Sequence, residues 1–118
     1  MKILGINAFH ADSAACILID GQAIVAIEEE RLRRVKHWAG YPSYSIKFCL
    51  EIANLSINDI DFIAINRDPN AHIREKVWFT LKNRPSLQNI VSRLKNRKDV
   101  GNISSLIANQ FSTDESFI

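Results

Sequence analysis

The chain has 118 residues, 47% of them hydrophobic and 24% charged, with a net charge of +2. That is an ordinary composition for a globular domain, and enough chain for one core that buries roughly two thirds of the unfolded surface. No apolar run approaches the ~20 residues of a membrane span. Asn7, His10 and Asp12 interrupt the N-terminus too early for a secretory signal, so the sequence reads as cytoplasmic with no membrane partner.

Lys2–Asn7 (KILGIN) reads as a short buried strand, and Gly5 marks a close backbone approach. A polar loop with His10, Asp12 and Ser13 follows. Ala14–Ile19 (AACILI) is a second apolar run, and Asp20-Gly21 is the pair that supplies the positive φ values of a two-residue type I′ turn. Gln22–Glu28 (QAIVAIE) completes the hairpin, giving three antiparallel strands with one long loop and one tight turn.

Glu28–His37 (EEERLRRVKH) is densely charged, and Trp38–Pro42 reads as a loop punctuated by Gly40 and Pro42. Ser43 is a candidate N-cap, because its side chain can satisfy an orphan backbone N–H. Ile46, Cys49, Leu50 and Ala53 then recur at helical spacing to about Asn54. Ser56–Asp59 has capping character, and Phe62–Asn66 (FIAIN) is the next strand. The helical crossover before it makes it a central strand, parallel to the first.

Asp68-Pro69-Asn70 breaks the chain. Helical patterning resumes at 71–81 and 87–94, with Ser86 as a cap for the second stretch, and again at 102–111. Trp78 and Phe79 read as core residues, and His72, without a partner at ligand spacing, as a surface histidine. The apolar ending Phe117-Ile118 closes no element, so a longer protein is expected, with 1–66 as a βββαβ core and 67–118 as a helical insertion. The fold class is α/β. The order βββαβ with a polar first loop fits part of an actin-like ATPase (ribonuclease H-like) domain, although many α+β domains share it.

Charge is unevenly spread. Residues 1–66 hold six basic and eight acidic side chains, 67–98 nine and two, and 99–118 none and three. The basic middle segment suits phosphate or nucleic acid, or simply the solvated faces of helices. The solvated reading is favoured, so a nucleic-acid partner is not expected. Cys16 and Cys49 lack CxxC spacing and sit among apolar residues, which fits buried thiols and neither a disulfide framework nor a zinc site.

Two groups of residues are suited to chemistry. His10 can exchange a proton near neutral pH, Asp12 can orient an imidazole or bind substrate, and Ser13 with the loop N–H groups can hold anionic oxygens. From spacing alone, a loop that merely satisfies its own backbone fits equally well. The second group is Glu29, Glu30 and Arg31 with Arg33, Arg34, Lys36 and His37. If the preceding strand runs on through Glu30, alternation pairs one glutamate internally and solvates the other. The basic residues can clamp phosphate, or form an exposed turn of weak ion pairs.

Ile3-Leu4-Gly5, Phe9-His10, Asp12–Ala15, Asp20-Gly21, Glu28–Arg31, Arg34, Lys36-His37, Gly40, Pro42 and Asp59-Ile60-Asp61 occur in the order found at the N-terminus of the NodU/CmcH-type O-carbamoyltransferases, which residues 2–66 resemble. The resemblance implies an actin-like, tRNA-threonylcarbamoyltransferase-like domain that works with a YrdC-like domain. The latter uses ATP and carbamoyl phosphate to form carbamoyl adenylate. The former, holding an iron-like metal, passes the carbamoyl group to an acceptor hydroxyl. By the same resemblance His10 is the catalytic histidine at the transfer site, and Asp12, Ser13, Arg34, Lys36 and His37 are substrate-binding. The family's HxxxH metal motif does not occur in these 118 residues, nor does the YrdC-like domain, so no metal ligand is expected within the chain. An N-terminal fragment, inactive alone, is the leading expectation. A stand-alone nucleotide- or anion-binding module and a basic interaction domain built on 67–98 are the alternatives.

Overall fold

The structure is a computed structural model in which residues 1–66, 78 and 102–112 are described. Strands β1 (Lys2–Asn7), β2 (Ala14–Ile19), β3 (Gln22–Glu28) and β4 (Phe62–Ile65) form one mixed sheet in the order β3-β2-β1-β4. The β1–β2 and β2–β3 pairs are antiparallel, whereas β1 and β4 run parallel, as the intervening helix α2 (Ser43–Ala53) requires. A short helix α1 (Glu29–Arg33) follows β3 directly, and α3 spans Ile103–Phe111.

Alternation along the strands creates the core. Leu4 and Ile6 of β1 and Ala15 and Ile17 of β2 are buried on the face that α2 covers with Ile46, Cys49 and Leu50. Ile57, Ile60, Ile103 and Ile107 close the same cluster. Each fully buried Ile or Leu contributes roughly 1.5–3 kcal/mol. The other face carries small residues. Gly5, Ala14, Cys16, Ala26 and Ala64 line a shallow groove of about 760 Å³. The strands are therefore buried on one face among the described residues. Gly5 faces Cys16 across the pair, and a Cβ there would lie 2.7 Å from the Cys16 sulfur, the close approach its position had implied.

Asp20 and Gly21 adopt φ of 51° and 83°, the two positive values of the tight turn. Beyond it the register moves from Leu18↔Ala23 to Ile17↔Val25, so Ile24 is the extra residue of a β-bulge. The Ser56–Asp59 turn is a single 3-10 turn with a reciprocal capping box.

Three expectations are corrected. β4 is the edge of the described sheet rather than a central strand, and its Phe62 is 61% exposed. β3 ends at Glu28 as expected, and the next five residues coil into α1. Ser43 is the first residue of α2 rather than its cap, since Pro42 occupies the cap position and has no side-chain donor or acceptor to offer. Trp78 is 70% exposed, not core. The expected helices at 71–81 and 87–94, His72, Phe79 and the charged positions of 67–98 lie outside the described residues. No helix among the described residues is long and apolar enough to cross a membrane.

Candidate functional site

The polar loop between β1 and β2 and the turn after α1 are stitched together at the carboxyl end of β1. Ser13 is fully buried, and its hydroxyl lies 2.7 Å from the Gly40 carbonyl and 3.2 Å from the His10 carbonyl. Its N–H donates to the Trp38 carbonyl at 2.9 Å, and its own carbonyl accepts from the Glu29 N–H at 2.8 Å. The Phe9 N–H reaches the Gly40 carbonyl at 3.3 Å. Ser13 is thus a latch between two loops. Its hydroxyl faces the protein carbonyls of His10 and Gly40.

Glu29 explains why the turn holds its shape. Its buried carboxylate accepts from Arg33 Nε at 2.7 Å, from the Ser45 N–H at 2.7 Å and from the Tyr44 N–H at 3.2 Å. Tyr44 and Ser45 are in the first turn of α2, so a glutamate from α1 performs the capping that Pro42 cannot, with its charge at the positive end of the helix dipole. Arg33 also donates to Ser43 Oγ at 2.8 Å, and its guanidinium lies 4.4 Å from the Trp38 ring centre and 4.3 Å from that of Tyr44. This buried ion pair ties α1, the Trp38 turn and the start of α2 into one unit. The expected division of the two glutamates, one paired inside and one towards solvent, is present, but a helix produces it rather than a strand.

Held this way, the loop and the turn face each other through Asp12 and His37. The His37 Nδ1 lies 2.9 Å from Asp12 Oδ1, and the His37 N–H donates to Glu30 Oε2 at 3.0 Å. The Asp12 carbonyl accepts from Asn7 Nδ2 at 3.0 Å. Phe9, Asp12, Arg34 and His37 all have positive φ, between 54° and 60°. For residues other than glycine this conformation costs about 1–2 kcal/mol each, and here the surrounding hydrogen bonds hold it. The hydrogen bond to Asp12 raises the His37 pKa above the ordinary histidine value, with the negative charges of Asp12 and Glu30 adding to it.

His10 is exposed, and its Nδ1 is 3.3 Å from the Ala11 carbonyl. Asp12 orients the other histidine. Arg34 and Lys36 are exposed, and their side chains have no ion-pair partner among the described residues. Asp12 and His37 therefore come together, Arg34 and Lys36 flank them in sequence, and Ser13 lies underneath. Glu30 was part of the charged stretch, but only its position in the first turn of α1 reveals that it supports His37.

Asp12, Glu30 and His37 each bring one potential ligand atom to within 4.8 Å of the others. Both carboxylates are engaged as acceptors, Asp12 from the ring and Glu30 from the backbone N–H of the same histidine. The arrangement is an oriented imidazole. These 118 residues contain no HxxxH pair.

The family model described as "Carbamoyltransferase N-terminus" matches residues 2–110. The chain belongs to this family. It is 52% identical over 58 residues, 49% of its length, to nodulation protein NolNO of Sinorhizobium fredii, and covers 8% of that protein. It is 42% identical over 67 residues, 57% of its length, to uncharacterized protein sll1178 of Synechocystis, and covers 11% of it. An uncharacterized 19.2 kDa protein of Rhizobium etli is 45% identical over 58 residues, 49% of this chain and 34% of the other. The carbamoyltransferase segment thus spans between about a twelfth and a third of these relatives.

Proposed function

We propose that this segment supplies one wall of the transfer site of an actin-like O-carbamoyltransferase, in which a carbamoyl group made from carbamoyl phosphate, by way of carbamoyl adenylate, passes to an acceptor hydroxyl. The observation that carries the reading is the meeting of the Phe9–Ser13 loop with the Arg34–His37 turn at the carboxyl ends of the parallel strands β1 and β4. In open α/β sheets ligands gather outside the carboxyl ends of such strands. Asn7 and Asn66 cap this edge with a side-chain hydrogen bond of 2.5 Å.

In the reaction proposed, the acceptor oxygen forms a bond to the carbamoyl carbon while the bond from that carbon to the adenylate phosphate oxygen breaks. The hydroxyl proton passes to the His10 imidazole, and AMP leaves with the bonding electrons. The cationic side chains of Arg34 and Lys36 offset the negative charge of the phosphate. ATP and the metal belong to the rest of the assembled enzyme in this reading, and the segment alone is expected to show no turnover.

The test joins the segment to the remainder of a family member and follows the two half-reactions separately. His10→Asn is expected to slow transfer to the hydroxyl by about 10²-fold or more, the usual scale for losing a general base, with adenylate formation unchanged. An equal fall in both half-reactions would make His10 a structural residue and overturn the assignment. Stoichiometric ATP binding by the segment by itself would favour a stand-alone nucleotide module instead.

A further inference from the structure

We propose that Asp12 is a positioning residue, which fixes the His37 imidazole through Nδ1 so that its Nε2–H edge is presented to a phosphoryl oxygen of the donor. This rests on the transfer-site reading and deepens it. It makes His37 a substrate-touching group and Asp12 its support, rather than both equal binders.

The geometry separates the two nitrogens of the ring. Nδ1 is taken by Asp12 at 2.9 Å, while Nε2 has no partner among the described residues. An imidazole held by a carboxylate at one nitrogen has its tautomer and plane set, and the other nitrogen becomes a directed donor. Glu30 fixes the backbone of the same residue at 3.0 Å. The αL conformations of Asp12 (φ 60°) and His37 (φ 54°) place both side chains where an extended backbone would not. Strain of this kind persists only where surrounding contacts impose it, and it concentrates at functional sites. Here the Ser13 latch and the Glu29–Arg33 pair impose it from below.

The charges around the ring indicate the ligand. Asp12 from the loop and Glu30 from α1 face His37, and both favour the imidazolium. Arg34 and Lys36 on the same turn are exposed without ion-pair partners among the described residues. Three cationic groups within four residues suit a phosphoryl group, and the two acids hold one of those groups in a fixed orientation.

The experiment uses the 118-residue chain and follows the His37 Hε1 and Nε2 signals by NMR, with inorganic phosphate as the probe and acetate as the control anion. In the unmodified chain His37 should titrate above the ordinary histidine value, and phosphate should shift its signals saturably. Acetate at equal ionic strength should have a smaller effect. Asp12→Asn should bring the titration back toward the ordinary value and weaken phosphate binding about tenfold, and His37→Gln should weaken it at least as much without altering the fold. The proposal is overturned if phosphate leaves His37 unshifted, or if acetate matches phosphate. It is also overturned if Asp12→Asn changes neither titration nor affinity, or if submicromolar Zn²⁺ displaces the Asp12 contact and binds the three side chains as ligands. Phosphate binding without carbamoyl transfer in the assembled enzyme would sink the transfer-site reading alone. Transfer that survives His37→Gln unchanged would sink this one alone.

Discussion

The two ends of β2 solve the same problem by opposite means. At one end the chain reverses through Asp20-Gly21, and the residue types adjacent in sequence supply both positive φ values. At the other, Phe9 and Asp12 hold comparable φ values with full side chains, and no glycine relieves them. That loop is held from a distance by Gly40, Trp38 and Glu29, which lie 16 to 31 residues further on. A turn encoded locally carries no side chain towards a ligand. A loop held remotely, through Ser13 and its backbone, can present His10 and Asp12. The difference separates a connection from a site.

The largest break in this comparison should come from Glu29→Ala. It removes the fully buried carboxylate that caps α2 and leaves Arg33 unpaired between Trp38 and Tyr44. A loss of about 3–5 kcal/mol in urea unfolding is expected, the scale for breaking a buried pair on one side. Glu30→Ala, at a half-exposed position, should cost far less. Equal losses would mean that the buried pair is not what holds the turn.

A smaller effect sharpens the contrast between the two ends. Ser13→Ala leaves the buried loop connection without its donor to Gly40 and should cost about 1–3 kcal/mol. Gly21→Ala meets open space but a φ of 83°, so strain alone should cost about 1 kcal/mol. Hydrogen exchange then distinguishes the ends. Ser13→Ala should speed exchange at the Phe9 and Glu29 amides, and Gly21→Ala should leave those amides protected. Faster exchange at both ends in either variant would show that they are coupled.

The smallest effect is one of pH. His37 titrates higher in the folded chain than its ordinary value, so its contribution to stability is complete below about pH 6.5 and is lost as the pH rises through the folded value. Asp12→Asn should remove that contribution. The difference in thermal midpoint between the two proteins should therefore be largest on the acid side of that window and shrink as the pH is raised. A constant difference would show that the pair is not titrating.

The strands, the tight turn and the α2 face could be read from the residues because each depends on neighbours one to four positions apart. KILGIN and AACILI are short apolar runs, Asp-Gly turns, and Ile46, Cys49 and Leu50 share a helix face. The sites of error have a common cause as well. Ser43 looked like a cap because Ser commonly is one, but the cap came from Glu29 in another element. The crossover that makes Phe62–Ile65 parallel to β1 also suggests a central strand, whereas strand order is a property of the whole sheet. Asp12 can orient an imidazole or bind substrate by its residue type alone, and it is the fold that brings His37 to it.

By itself the sequence determined the four strands, α2, the parallel crossover and the stretches where polar residues interrupt apolar ones, because hydrophobic period and turn chemistry act over a few residues. It also carried the order of residues by which the chain belongs with the carbamoyltransferases. Only the tertiary structure decided which acid supports which histidine, which serine is a latch, and which glutamate starts a helix it does not belong to. Hydrogen bonds and buried charges select partners within about 3 Å in space, and a linear chain does not record which distant residues will come that close.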